Sequence, residues 1–229
     1  QADNLAIFAG AGLSKPAGFV DWKNLLREVA EELDLDIEKE SDLVTLAQYH
    51  VNSKRNNRAK INQVIIDEFS KDISITENHR ILARLPISTY WTTNYDNLIE
   101  KSLSEIRKVV DIKHEPIQLL TSLRKRDVVI YKMHGDYLHP TKAIIIKDDY
   151  EKYLLNNGEF YTALRGDLLT KKILFLGFSF ADPNIDYILG KIRASYSEHH
   201  QTHYCILKRV QRLENNARLY IVHLCFTAS

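Results

Sequence analysis

Four apolar runs in this chain each stop at a cluster of small or polar residues, and those clusters hold the groups able to do chemistry. They are Gly10-Ala11-Gly12-Leu13-Ser14, Thr93-Asn94-Tyr95-Asp96, His134-Gly135-Asp136 and Gly177-Phe178-Ser179. Gly10 and Gly12 permit close backbone approach, and amides entering a helix favour a phosphate through their partial positive charge. Neither common phosphate fingerprint is present. The dinucleotide-dehydrogenase pattern needs a third glycine where Lys15 stands, and the P-loop needs Gly-Lys-Ser/Thr where Gly18 is followed by Phe19. An imidazole of ordinary pKa, near 6.5, takes up a proton at cellular pH, so His134 is a candidate base. A lone strand-end histidine is more often structural; Asn94 and the glycine loops beside His134 give it a functional reading.

The elements that must position these groups follow from periodicity. Leu5 to Ala9 reads as a buried strand, and Trp22 to Leu33 as an amphipathic helix capped by Asp21. Residues 41 to 85 carry three helical patterns with no strand between them, which predicts a small inserted helical module. Strands are expected at Ile87–Trp91, Val109–Ile112, Val128–Met133, Ala143–Ile146, Ile173–Leu176, Tyr204–Leu207 and Leu219–Leu224, with helices at Asn97–Ser104 and Pro183–Tyr196. Apolar runs alternating with helices imply an α/β fold, Rossmann-like and doubly wound, around a mainly parallel sheet. In such sheets ligands bind outside the carboxyl ends of the strands, where all four clusters fall.

Composition narrows the class. The chain has 229 residues, 45% hydrophobic and 27% charged, enough for one α/β domain with a sizeable core. Its 31 basic and 30 acidic residues leave a net charge of +1, which gives no bulk attraction for nucleic acid or an anionic membrane. No apolar run approaches a membrane span and no signal-peptide pattern opens the chain, so a cytoplasmic protein is expected. Two cysteines, Cys205 and Cys225, rule out a disulfide framework and a four-cysteine zinc site, and no metal is expected. Residues 1–229 read as a single catalytic domain cut from a longer chain.

The motifs together resemble the sirtuin superfamily: Gly-Ala-Gly-Leu-Ser at 10–14, Gly-Phe-Val-Asp-Trp at 18–22, Thr-Thr-Asn-Tyr-Asp at 92–96, His134-Gly135, and Gly177-Phe178-Ser179. That resemblance implies NAD+ chemistry at the bond between nicotinamide and ribose. It implies Gly10, Ala11, Gly12 and Ser14 around the pyrophosphate, with Gly177 and Ser179 toward the adenosine half. It places Asp21 in a loop closing on the nicotinamide side, Asn94 on the ribose and attacking water, Asp96 on the carboxamide, and His134 as general base. Sirtuin deacylases carry paired cysteine knuckles after the catalytic histidine, whereas residues 135–172 have no cysteine. With Thr-Thr-Asn-Tyr-Asp in place of Thr-Gln-Asn-Ile-Asp, and Asp182-Pro183-Asn184 after Ser179, the chain resembles the bacterial sirtuin-like NAD+ hydrolases of anti-phage defence. The implied reaction is hydrolysis, NAD+ being substrate. The implied assembly is a homo-oligomer, with a HerA-type ATPase or a phage-derived trigger as possible regulatory partners. A zinc-free deacylase or ADP-ribosyltransferase, and a non-catalytic NAD+ or ADP-ribose sensor, stand as alternatives.

Other features have plainer readings. Asp182 before Pro183 suits a helix N-cap, with a ligand role as a second use. His199, His200 and His203 read as a solvated loop, the Ser53 to Lys60 linker likewise, and the tyrosines at 150, 153 and 161 as core or interface. The helical module reads either as an adjustable cover over the pocket or as a rigid cap that completes it. Asn94 and His134 are expected to be removable without loss of stability, as groups that fill no core volume.

Overall fold

In the computed structural model, which describes residues 4–180, 182–195, 201–208 and 219–224, the elements run as follows. Strand β1 (Leu5–Ala9) leads into α1 (Ala11–Ser14), then α2 (Trp22–Leu25), α3 (Arg27–Glu31), α4 (Leu43–Ser53), α5 (Ala59–Phe69) and α6 (Glu77–Arg84). Next come β2 (Thr89–Thr92), α7 (Leu98–Glu105), β3 (Val110–Lys113), β4 (Val128–Lys132), α8 (Lys147–Glu151) and α9 (Tyr153–Thr170). Then β5 (Lys172–Leu176), α10 (Pro183–Ser195), β6 (His203–Lys208) and β7 (Leu219–Leu224) complete the described chain.

The strands form one sheet in the order β3-β4-β2-β1-β5-β6-β7, parallel throughout except for β7, which pairs antiparallel with β6. Strand alternation splits the core between two faces. Ala6, Phe8, Trp91 and Phe175 pack with Phe160, Leu164 and Ile188 on one, while Ile7, Ala9, Tyr90 and Ile130 pack with Leu82 and Leu103 on the other. Both faces are covered, as a parallel sheet requires. The fold is the doubly wound α/β arrangement expected.

Register sets the site. Ala9 pairs with Thr92 on one side and Leu176 on the other, and Thr92 pairs with Lys132. The carboxyl ends of β4, β2, β1 and β5 therefore lie side by side at one level. Their four turns emerge together.

Three expectations change. Ala143–Ile146 is buried but is not a strand: its backbone is satisfied by side chains, a turn and one bond from Ile144 N to His134 O at 3.1 Å instead of a ladder. Arg58 donates to the Ala143 carbonyl, Tyr95 Oη to that of Ile144 at 2.7 Å, and Asp149 Oδ2 accepts from Ile145 N and Ile146 N at 3.0 Å each. The helix read over 22–33 is two short helices, because Leu26, fully buried, leaves helical geometry at φ −97°, ψ 9°. His203 is a buried strand residue whose Nδ1 accepts from Ile173 N at 3.2 Å, which corrects its reading as a solvated loop. His199 and His200 lie outside the described residues.

The inserted helices α4, α5 and α6 are present. Residues of α4 and α5 share a core with α2, α3 and the 143–146 segment. Arg58, read as a solvated loop residue, is partly buried and bonds Asp149 twice, at 2.8 and 2.9 Å. Glu68 of α5 accepts from Val20 N at 2.7 Å. Among the described residues, no helix is long and apolar enough to cross a membrane.

Candidate active site

The four turns line a single cavity of about 1010 Å³, walled on its far side by residues 41–45 and by α8 and the start of α9. The residues given a catalytic or binding role from sequence all line it: Gly10, Ala11, Gly12, Ser14, Asp21, Asn94, Asp96, His134, Gly177, Ser179 and Asp182; Leu13, Gly135 and Asp136 of the four clusters do not. A concave, largely apolar pocket with a few converging polar groups is where a small-molecule site is expected.

The glycines of the first turn serve packing more than anion binding. Gly10 N donates to Leu176 O and Gly12 N to Gly177 O, each at 2.9 Å, so both amides are spent on the end of β5. A Cβ on Gly12 would lie 2.8 Å from Gly177 Cα, and one on Gly10 2.6 Å from Gly177 O. Backbone rests directly on backbone here, which explains the glycines and revises the expectation that these two amides cradle a phosphate.

Asn94 is held by the same turn. Its Nδ2 donates to Gly10 O at 3.1 Å and to Ser14 Oγ at 3.0 Å, and its own N–H donates to Thr92 Oγ1. Because the Gly10 carbonyl only accepts, the amide orientation is fixed, and what Asn94 offers a ligand is the acceptor Oδ1. Asp96 uses Oδ1 to accept from Leu98 N at 3.0 Å, while its Oδ2 is buried with no hydrogen-bond partner. Asp21 caps α2 through Asn24 N at 3.1 Å and takes Lys15 Nζ at 2.9 Å on its other oxygen. The lysine bond is the main reason its carboxyl titrates below the usual range.

His134 is 1% exposed, set edge-on to the rings of Tyr150 and Tyr153. Its Nε2 lies 3.2 Å from Asp182 Oδ2, close enough for charge attraction but at an angle outside hydrogen-bond geometry. Asp182 Oδ1 meanwhile caps α10, accepting from Asn184 N and Ile185 N at 3.0 Å each. The expected cap is present, and the second oxygen is directed at a histidine, a contact that was not read from sequence. Burial pushes the His134 imidazole below its ordinary pKa, offset in part by Asp182 and Asp149, which favours the neutral form. At that burial His134 does fill core volume, and Asn94 is 9% exposed, so the expectation that both could be truncated without cost is revised.

Two contributors were not read from sequence. Tyr150, taken as core or interface, lines the cavity beside His134. Lys132, 1% exposed, donates to Asp96 O at 2.6 Å and Glu100 Oε1 at 2.9 Å, tying the Asn94–Asp96 loop to α7. A lysine ending an apolar strand was the available signal. Lys132→Met strands Glu100 without its cation and is expected to lower unfolding free energy by about 3–5 kcal/mol in urea denaturation. A loss below about 1 kcal/mol would mean the pair is dispensable.

Comparison with known proteins agrees with this geometry. A profile described as SIR2-like domain matches residues 88–225. The chain is 56% identical over 210 residues to the NAD(+) hydrolase ThsA of Bacillus cereus (strain MSX-D12), covering 92% of this chain and 44% of that protein. It is 53% identical over 214 residues to the protein of the same name from Acinetobacter baumannii (strain 532279), covering 93% and 44%. Defense-associated sirtuin 2 of Bacillus subtilis is 26% identical over 226 residues, covering 94% of this chain and 22% of that protein. The chain spans less than half the length of these curated relatives. The family profile extends from β2 through β7, over three of the four turns that meet at the cavity, and the chain belongs to the SIR2-like domain family.

Proposed function

We propose that this chain is the catalytic unit of an NAD+ hydrolase that releases nicotinamide and ADP-ribose. The observation that carries the reading is the convergence of Asn94, Asp96 with one carboxylate oxygen unpartnered, and a buried His134 around one cavity. The names of its relatives support it. The domain is one SIR2-like unit, with residues 41–85 inserted, belonging to a longer chain.

The chemistry follows from the groups present. The bond between ribose C1′ and the nicotinamide nitrogen breaks, its electron pair leaving with neutral nicotinamide, and an oxocarbenium-like ribose forms as in glycoside hydrolysis. Asn94 Oδ1 accepts from water or a ribose hydroxyl without adding a charge that would trap the cation. Asp96 Oδ2 accepts from the carboxamide N–H. Water adds its oxygen to C1′ and gives its proton to His134, whose imidazolium gains Asp182 as counter-charge. Ala11, Ser14, Gly177 and Ser179 hold the diphosphate and adenosine side, Gly10 and Gly12 let the two turns close on each other, and Asp21 holds the rim.

The biological role proposed is NAD+ depletion in anti-phage defence, within the cytoplasm, by a homo-oligomer under control of a partner or a phage-derived trigger. The test is incubation of the purified full-length protein with NAD+ in the absence of acylated peptide, following nicotinamide and ADP-ribose by chromatography. Equal release of both supports hydrolysis. Nicotinamide appearing only with an acyl-lysine peptide favours a deacylase, and binding without release favours a sensor. Asp182→Asn keeps a capping oxygen but removes the charge, so turnover is expected to fall while the melting temperature holds. Unchanged turnover would assign Asp182 to capping alone.

A further inference from the structure

Outside the cavity, three side chains from two segments meet at the end of the sheet's β3 edge. His114 follows β3, and Asp136 and His139 lie on the turn after His134. One potential ligand atom from each lies within 4.8 Å of the other two, and no other such trio of histidine, cysteine or acidic residues occurs among the described residues. The imidazoles of His114 and His139 stack at 4.4 Å with planes 15° apart, both edges toward one carboxylate. His139 Nδ1 is 2.9 Å from Asp136 Oδ1, and His114 Nδ1 is 3.8 Å from Oδ2. None of the three lines the cavity.

We propose that His114, Asp136 and His139 form a binding site for a divalent transition-metal ion of the zinc class. An ordinary histidine–aspartate contact uses one ring and leaves no reason for the second. Here the buried His114 Nδ1 makes no hydrogen bond, and a single carboxylate faces two rings. Two imidazole nitrogens and one carboxylate oxygen are the donor set that Zn²⁺, Co²⁺ and Ni²⁺ accept, whereas Mg²⁺ and Ca²⁺ prefer oxygen alone. Ligand atoms of one tetrahedral zinc stand about 3.3 Å apart, given bonds of about 2.0–2.1 Å. The trio must therefore draw in by an ångström or so, and the means is visible. His114 and Asp136 are largely buried, but the His139 side chain is 46% exposed on a turn and can swing.

Asp136 can bind without giving up its local role. Oδ1 accepts from Leu138 N at 3.0 Å and His139 N at 3.1 Å, which shapes the turn, and Oδ2 remains for the ion. Three protein donors leave a position for water. The ion would link the end of β3 to the turn that begins at His134. The cysteine argument excludes only a four-thiolate site and does not bear on this one.

The test uses the full-length protein stripped by chelation and titrated with Zn²⁺ alone in a calorimeter, with Co²⁺ absorption reporting the ligand environment. One ion per chain with Kd below about 10 µM is expected. Loss of an outer-shell partner of a metal site already costs about 10- to 100-fold, so the His114→Gln/His139→Gln double variant should weaken binding about 100-fold or more. It should also abolish the Co²⁺ spectrum. If that variant does not fold, the single His139→Gln change, on the exposed ring, carries the same expectation. Wild-type binding weaker than about 100 µM overturns the proposal, as does undiminished stoichiometric binding in a folded variant.

Discussion

His134→Gln is expected to lower nicotinamide release by about 10²- to 10⁴-fold, the range a positioned general base contributes. Glutamine is the informative replacement because it fills much of the space between Tyr150, Tyr153 and Asp182 that alanine would leave as a cavity. Asn94→Ala should cost a comparable factor, but its reading needs a control. Truncation also frees Gly10 O and Ser14 Oγ, so part of any loss could come from a shifted first turn. Ser14→Ala removes one of the two anchors and leaves Oδ1 in place. It should therefore reduce turnover less than Asn94→Ala does. Near wild-type release by His134→Gln would remove His134 from the mechanism, and equal losses in Ser14→Ala and Asn94→Ala would make Asn94 a latch.

The strands were legible in the sequence where the sheet is covered on both faces, because that burial makes runs such as Leu5–Ala9 and Ile173–Leu176 apolar at every position. Their polar ends were legible for the same reason: a break in such a run is conspicuous. The same signal misled at Ala143–Ile146. That run is as apolar as a strand, but its partners are side chains distant in sequence, Arg58 and Tyr95, and no local pattern announces them. Helix α9 was not announced as a helix: its tyrosines were read only as core or interface, and Leu154 and Leu155, exposed beside the buried Tyr153, blur the face that Phe160, Leu164 and Leu168 bury.

Site residues could be named in advance, but their bonding could not. The cap at Asp182 was local and readable, whereas its approach to His134 joins the β5–α10 turn to the end of β4 and needs the sheet order. Likewise Gly10 and Gly12 suggested phosphate amides. Only the register of β1 against β5 shows those amides occupied and the missing Cβ atoms to be the point.

That contact yields a large stability effect that can be taken apart. Gly177 has φ +61°, and a Cβ on it would stand 2.3 Å from Leu13 N and 2.5 Å from Gly12 C, against backbone that cannot rotate away. Gly177→Ala therefore combines left-handed strain of about 1 kcal/mol with overpacking of about 1–3 kcal/mol, for a loss of about 2–4 kcal/mol. Two further variants separate the parts. Gly18 has φ +116° and only Ile73 Cδ1 near its missing Cβ, at 3.9 Å, so Gly18→Ala should show the strain alone, about 1 kcal/mol. Gly12→Ala meets Gly177 Cα and O at 2.8 Å without a positive φ, so it should show the collision alone, about 1–3 kcal/mol. The β1–α1 and β5–α10 turns carry Ser14 and Ser179 into the cavity, so pushing them apart should also weaken NAD+ binding in Gly12→Ala and Gly177→Ala. Binding in Gly18→Ala should suffer less. Urea denaturation and calorimetric titration of NAD+ into a His134→Gln background would measure both quantities. If Gly18→Ala proved as damaging as Gly177→Ala, backbone strain and not the contact between the two turns would be what these glycines relieve.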